Sequence, residues 1–240
     1  MAIYDIEGNV INSGDGLHRP LNGLKICALG DSNTQYMGET LGDRVKELTG
    51  CESVTNLAIA GATWGVPTND NTYITGGNAV ARVNQLIEPF KVSGVANEYD
   101  IITLMYGTNG DSSLGSQGNN DVTTTWGAME YCFDRLLYYY RNAKIGVILP
   151  IQRARGVMKT TVDAIKECCE MYSIPYYDMS GQGQIPCDNR MKISLAEQGV
   201  EIVDTAESYG HGYFKDNVHL NEIGKKQYYH KYARFLESIV

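Results

Sequence analysis

Four short segments of the chain carry residue types that suit nucleophilic chemistry at a hydroxyl group. Residues 30–33 read Gly-Asp-Ser-Asn directly after an apolar run, which makes Ser32 a candidate nucleophile. A serine hydroxyl is weakly nucleophilic at neutral pH and needs a neighbouring base. Residues 216–219 read Asp-Asn-Val-His. This spacing lets Asp216 and His219 share one turn, where the carboxylate fixes the imidazole tautomer and the second ring nitrogen accepts the serine proton.

The other two segments offer hydrogen-bond donors. Gly61 ends the segment 56–61, and a glycine lets the backbone N–H approach a ligand closely. Asn109 ends the segment 106–109, where its side-chain amide could donate to a developing oxyanion. Taken singly, each of these segments also fits an ordinary turn or helix cap. The chemical interpretation therefore depends on the four segments meeting in space.

Alternating apolar runs predict the scaffold that would bring them together. Short apolar runs predict strands at 24–29, 54–59, 100–106, 145–149 and 174–177. Helical periodicity predicts helices at 39–49, 78–88 (closed by Pro89), 123–141, 157–172 and 221–239, the last capped by Asn221. Such alternation is typical of an α/β protein with a mainly parallel sheet and helices on both faces. Ligands of these sheets bind at the carboxyl ends of the strands, where all four segments fall. Residues 1–22 are interpreted as an arm or hairpin before a single domain at 23–240.

In this order, the four segments resemble the sequence blocks of the SGNH hydrolases, also called GDSL esterases. The resemblance covers residues 24–239 and extends to Leu-Pro at 149–150 and to His-Leu-Asn-Glu-Ile-Gly at 219–224. It implies a three-layer, flavodoxin-like α/β/α sandwich that uses no metal and no cofactor. It also implies that Ser32 is the nucleophile, that His219 is the base and acid, and that Asp216 orients the histidine.

The resemblance further implies an oxyanion hole made by the backbone N–H groups of Ser32 and Gly61 and by the side chain of Asn109. The family's third block usually reads Gly-x-Asn-Asp. Here Gly110 follows Asn109, and the acid comes one place later, at Asp111. The donor itself is kept, but the local support of Asn109 becomes an open question.

Composition and charge exclude several other classes of function. The net charge of −8 and the lack of a basic run argue against nucleic acid or an anionic membrane as partner. The first ten residues lack the apolar core of a signal peptide, and six cysteines without a Cys-x-x-Cys pair indicate free, buried thiols. These features favour a cytoplasmic protein, with a phage-tail or secreted module as the alternative. A metal site at His211, Asp216 and His219 is disfavoured because their spacing matches no standard site.

The substrate is predicted to be a small-molecule or oligosaccharide ester, from which the protein removes a small acyl group, with acetyl favoured. Five residues near the predicted active edge are expected to line the cleft: Asp31, Asn33, Tyr36, Trp64 and Arg153. Arg153 and Arg155 could also bind a carboxylate or phosphate, and the aromatic rings suit a sugar unless they serve as packing residues. The alternatives are a lipase or thioesterase acting on longer chains, against which the polar stretches 107–125 and 179–215 argue, and a non-catalytic carbohydrate-binding module.

Overall fold

A computed structural model describes residues 19–68, 77–94, 99–109, 113–151, 158–180, 185, 213–216 and 218–240. These ranges contain five strands, β1 (Lys25–Gly30), β2 (Ser53–Asn56), β3 (Ile101–Met105), β4 (Lys144–Ile148) and β5 (Tyr176–Tyr177). They also contain six helices, α1 (Ser32–Gln35), α2 (Gly38–Thr49), α3 (Ala79–Ser93), α4 (Thr125–Tyr139), α5 (Lys159–Met171) and α6 (Glu222–Ser238). Residues 1–18, most of the expected arm, lie outside the described ranges, and the division into an arm and one domain stays a prediction.

The five strands form one parallel sheet in the order β2-β1-β3-β4-β5. In β1, Ala28 lies opposite Asn56 of β2 on one side and Thr103 of β3 on the other. A parallel sheet needs a crossover between successive strands, and helices between the strands provide it. Strand β1 has a neighbour on each side. Its carboxyl end therefore lies between those of β2 and β3, at the edge of the sheet where the ligand site was expected.

Helices cover both faces of the sheet and divide the core into two layers. Alternate residues of a strand point to opposite faces, so Ile26 packs toward α2 and α6, whereas Cys27 packs toward α3, α4 and α5. On the α6 side, a buried hydrogen bond of 2.8 Å joins Thr103 of β3 to the hydroxyl of Tyr232. The predicted three-layer α/β/α sandwich with a parallel sheet is therefore confirmed.

Two predicted boundaries are wrong. Helix α3 does not end at Pro89 but continues to Ser93, where Gly94 adopts φ +73° and donates its N–H to the carbonyl of Phe90. Proline removes one backbone donor, but burial of the amino-terminal part of α3 against the core outweighs that loss. Strand β2 ends at Asn56 rather than at residue 59, although the N–H groups of Leu57 and Ile59 still donate to the carbonyls of Ala28 and Gly30 of β1, at 2.9 Å and 3.0 Å.

The described cysteines are free and buried, as predicted; they are Cys27, Cys51, Cys132, Cys168 and Cys169. Burial raises the pKa of each of these thiols above its ordinary value. Cys187 lies outside the described residues. Within the described ranges, no helix has the length and apolar character needed to cross a membrane.

The start of α6 allows a test of how the carboxyl-terminal helix is held. Asn221 is the N-cap, and its side-chain oxygen accepts from the backbone N–H groups of Ile223 and Gly224, both at 3.0 Å. Replacement by alanine leaves these donors without a side-chain partner, so Asn221→Ala should lower the free energy of unfolding by about 1 kcal/mol. Urea unfolding measures the loss. Asn221→Asp keeps a capping oxygen and should retain most of the stability; equal loss in both variants would contradict this explanation.

Candidate active site

The candidate nucleophile lies in the turn that joins the central strand β1 to the short helix α1. Asp31 caps this helix, accepting the N–H of Asn33 at 2.9 Å, and donates its own N–H to the carbonyl of Met105 at 3.2 Å. Gly30 fits between these elements because any β-carbon there would come within 3.0 Å of Thr34 and of the Met105 carbonyl. The turn is thus tied to β3, and Ser32 is held at 5% exposure.

A second tight segment, just before α6, positions the candidate base. Phe214 and Leu220 form an antiparallel bridge, and the N–H of Lys215 donates to the carbonyl of His219 at 2.9 Å. Inside this loop, Asp216 Oδ1 accepts from the backbone N–H groups of Val218 and His219, both at 2.7 Å. The spacing of three residues places carboxylate and imidazole in one turn, as the sequence pattern predicted.

The two segments meet through their side chains. Asp216 Oδ2 lies 2.8 Å from His219 Nδ1, and His219 Nε2 lies 2.9 Å from Ser32 Oγ. Because an ionised carboxylate can only accept, the proton of the imidazole is on Nδ1 and the free Nε2 accepts from the serine hydroxyl. This arrangement can remove a proton from Ser32 as its oxygen attacks an electrophile.

Asp216 is held in the ionised form that this arrangement requires. Partial burial disfavours its charge, but hydrogen bonds from the His219 ring and from the backbone N–H groups of His219 and Val218 outweigh that cost and lower its pKa. Its carboxylate lies beside Nδ1, so Asp216 is placed to orient the His219 ring.

The expected oxyanion donors Gly61 and Asn109 are neighbours in the structure. Gly61 is exposed and has φ +78°, a conformation that few residues other than glycine adopt. Asn109 Nδ2 donates to the carbonyl of Ala62 at 2.9 Å, which ties the amide to the residue after Gly61 and leaves its second hydrogen for another acceptor. This bond provides local support for Asn109; Gly110 and Asp111 lie outside the described residues.

Three of the five residues expected to line the cleft are buried, so for them that prediction is wrong. Trp64 is 0% exposed and packs against Tyr106 and Phe133, because the chain after Gly61 turns back into the core. Asp31 and Asn33 flank Ser32 in the turn after β1, and both are buried, at 0% and 2% exposure.

Tyr36 does lie at the surface, with 45% exposure, and its ring meets the ring of His219 edge-on at 4.9 Å between centroids. Among the described residues, it is the one predicted cleft residue that is both exposed and in ring contact with His219. Arg153, Arg155 and His211 lie outside the described residues.

Asp31 has an unusual environment for a carboxylic acid. Burial raises its pKa to about 6, although the nearby polar groups of Thr108, the hydrogen bond from the N–H of Asn33 and the attraction of His219 act in the opposite direction. Asn33 Nδ2 also donates to Thr108 Oγ1 at 3.3 Å. Sequence reasoning missed Thr108, whose only signal was its place just before Asn109, and Lys215, which lay in a stretch interpreted as loop.

Comparison with known proteins found solved structures that resemble this chain. A protein from Lactobacillus plantarum is 20% identical, with TM-score 0.65, and the match covers 91% of this chain and 99% of that one. A candidate GDSL-like lipase from Bacteroides ovatus is 17% identical, with TM-score 0.60 and coverages of 90% and 99%. An acetylxylan esterase from Geobacillus stearothermophilus is 14% identical, with TM-score 0.50 and coverages of 90% and 94%.

At these identities the likeness establishes a shared fold. It spans nearly the full length of each chain, so the parallel sheet and its flanking helices belong to one common fold. No family model matches the sequence, and no curated protein matches it.

The raised pKa of Asp31 predicts a dependence of stability on pH. In the folded protein the pKa of Asp31 is about 6, whereas the unfolded chain releases the proton near the ordinary aspartate pKa of 3.8. Rising pH across this window therefore favours unfolding. Asp31→Asn removes that effect, so its stability relative to the parent should increase by about 2 kcal/mol between pH 4 and pH 7.

Urea unfolding of the parent and of Asp31→Asn at both pH values measures this difference. Asp43→Asn, on the exposed side of α2, is the matched control for the loss of one carboxylate. If the difference in the free energy of unfolding between the parent and Asp31→Asn is the same at both pH values, the pKa of Asp31 is not raised in the folded protein.

Proposed function

We propose that this chain, which has the α/β/α fold of the SGNH hydrolases, is a serine esterase that hydrolyses carboxylic esters. The observation that carries the proposal is the pair of hydrogen bonds from Ser32 Oγ to His219 Nε2 and from His219 Nδ1 to Asp216 Oδ2, at 2.9 Å and 2.8 Å. A nucleophile, a base within hydrogen-bond reach and a third group that orients the base are the parts that nucleophilic acyl transfer needs.

The reaction proceeds by two acyl transfers. Ser32 Oγ attacks the ester carbonyl carbon while His219 Nε2 takes the hydroxyl proton, and a tetrahedral intermediate forms. The carbon–oxygen bond to the alcohol then breaks, and the alcohol leaves with the proton from Nε2. Water enters, loses a proton to Nε2 and attacks the acyl-enzyme; the acid departs and Ser32 recovers its proton.

Hydrogen-bond donors stabilise the negative oxygen of each tetrahedral intermediate. We assign this role to the backbone N–H groups of Ser32 and Gly61 and to the second amide hydrogen of Asn109. The bond from Asn109 to the Ala62 carbonyl supports the assignment, because it fixes the amide in place before substrate arrives. Donors that are already oriented cost no reorganisation when the charge develops.

A short acyl group, acetyl above all, on a carbohydrate is the substrate we infer. The exposed ring of Tyr36 beside His219 offers an aromatic face of the kind that packs against sugars. One structure of this fold belongs to an acetylxylan esterase. Hydrolysis of esters with longer acyl chains is the second possible function, since another structure of this fold, from Bacteroides ovatus, is named as a GDSL-like lipase candidate.

A series of 4-nitrophenyl esters of increasing acyl length separates these two candidates. We expect kcat/KM to be highest for acetate and to fall with length, because the described surface beside Ser32 carries polar groups and an exposed tyrosine. Acetylated oligosaccharides, assayed for released acetate, test the carbohydrate part. A rate that rises beyond eight carbons would favour the lipase assignment instead.

Substitution of the hydrogen-bonded side chains tests the catalytic assignment directly. Ser32→Ala should abolish hydrolysis of 4-nitrophenyl acetate and labelling by a fluorophosphonate probe. Asp216→Asn preserves the shape of the turn but disfavours the proton on Nδ1, and should lower kcat by about a factor of 10³–10⁴. Ser93→Ala, at the far end of α3, is the control and should leave both readouts unchanged. Labelling that persists in Ser32→Ala would mean that another residue is the nucleophile.

Removal of the side-chain donor tests the oxyanion assignment. Asn109→Ala should lower kcat by a factor of about 10²–10³ with little change in KM, because the lost hydrogen bond forms fully only in the transition state. Steady-state kinetics on 4-nitrophenyl acetate give both parameters. Asn142→Ala, in the exposed turn before β4, is the matched control. A rise in KM at constant kcat would instead indicate a role in binding the ground state.

A further inference from the structure

Lys215 and Tyr36 form a small cationic wall beside the catalytic histidine. We propose that this wall recognises a carboxylate on the alcohol portion of the ester, so that the preferred substrates are esters of acidic alcohols, such as an acylated uronic acid. The proposal rests on the serine esterase function proposed above, and adds to it the class of alcohol.

The wall has a defined geometry. The ring of Tyr36 stands edge-on to His219, with 4.9 Å between the centroids, and Lys215 Nζ lies 4.8 Å from the centroid of the same ring. The Lys215 backbone is fixed as well, since its N–H donates to the carbonyl of His219. A cation over a tyrosine ring is attracted by the negative face of the ring, and this holds the ammonium near the site.

The ammonium of Lys215 is available to a ligand. Among the described residues, no carboxylate lies within 4.0 Å of its Nζ, and Lys215 itself is exposed. The nearest acid in sequence, Asp216, already accepts from the His219 ring and from two backbone N–H groups. Lys215 therefore differs from lysines such as Lys166 and Lys225, which are paired with acids.

The net charge of the protein, −8, makes this placement informative. An acidic surface repels an anionic substrate at long range, but ions screen that repulsion beyond about 8–10 Å at physiological salt. At closer range the substrate meets Lys215 directly. A local cation over the ring of Tyr36, which itself packs against His219, is thus the feature that allows an acidic chain to accept a negatively charged ester.

The position of the wall also selects the side of the ester that it contacts. His219 Nε2 must deliver a proton to the departing alcohol oxygen, so groups that adjoin the histidine face the alcohol. The assigned oxyanion donors Gly61 and Asn109 belong instead to the loops after β2 and β3. A carboxylate that reaches Lys215 therefore belongs to the alcohol and not to the acyl group.

Two esters that differ mainly in charge test the proposal. 4-Acetoxybenzoate carries a carboxylate on its phenol, and 4-acetoxybenzamide is its neutral counterpart. The measured quantity is the ratio of kcat/KM for the anionic ester to that for the neutral one. An exposed ion pair contributes enough for Lys215→Met to lower this ratio about three- to fivefold, mainly through KM. Raising the salt to about 0.5 M should lower the ratio of the parent protein, because screening weakens the attraction.

Conservative and control variants separate recognition from a structural role. Lys215→Arg keeps the charge and should retain the ratio. Tyr36→Ala removes the ring that holds the ammonium and should lower the ratio, whereas Tyr36→Phe should keep it. Lys226→Met, on the exposed side of α6, removes a charge away from the wall and should leave both rates as they are.

Each remaining outcome has a definite meaning. A Lys215→Met variant that loses the same factor on both esters, or that keeps the parent ratio, would overturn the proposal while leaving the esterase function intact. A parent protein that hydrolyses neither ester, and whose Ser32 does not react with a fluorophosphonate, would overturn the esterase function and this proposal with it.

Discussion

The hydrogen bond between Ser32 and His219 is the contact on which the arrangement of the site depends, and it joins residues 187 positions apart in the chain. Such a contact forms only when the first strand and the last helix are already in place. Strand β1 fixes one partner at the middle of the sheet edge, and α6 fixes the other through its N-cap and its packing on β1 and β3. The buried bond from Thr103 to Tyr232 anchors α6 against the sheet. The outer helices complete the two layers that keep this pair in register.

The surroundings of Ser32 show a second constraint, which is the burial of polar groups. Four successive residues, Asp31 to Thr34, follow the carboxyl end of β1 and are at most 5% exposed. Burying polar atoms costs free energy unless they are hydrogen-bonded. These residues are bonded to one another, to Thr108 and to the Met105 carbonyl. Asp31 Oδ2, Asn33 Oδ1 and Thr34 Oγ1, however, are buried without a hydrogen-bond partner among the described residues. The unpaired buried oxygens and the raised pKa of Asp31 indicate that Ser32 is held in this turn at some cost in stability.

Most of the scaffold could be predicted from the sequence, because buried parallel strands and amphipathic helices leave strong apolar patterns. The two hydrogen-bonded segments around Ser32 and His219 were also identified, since their chemistry is local in sequence. The burial of individual side chains near the strand ends could not be predicted in the same way. Trp64 and Asp31 both follow or lie within site segments, but whether a side chain near a strand end points outward or inward depends on how the loop turns. The predicted end of α3 at Pro89 was wrong for a related reason. Tertiary packing of α3 outweighed the local helix-breaking effect of the proline. Lys215 gave no signal, since its importance comes from a tyrosine distant in the chain.

The buried cysteines have a consequence for how the unfolding of this molecule can be observed. Cys132, Cys168 and Cys169 lie in the layer of α3, α4 and α5, whereas Cys51 lies in the layer of α2 and α6. Thiols that are shielded and resist ionisation react with alkylating agents only when their layer opens. Alkylation of these cysteines thus reports separately on the opening of each side of the sheet. Mass spectrometry of partially alkylated protein can show whether the layer of α2 and α6 opens together with the layer of α3, α4 and α5 or before it.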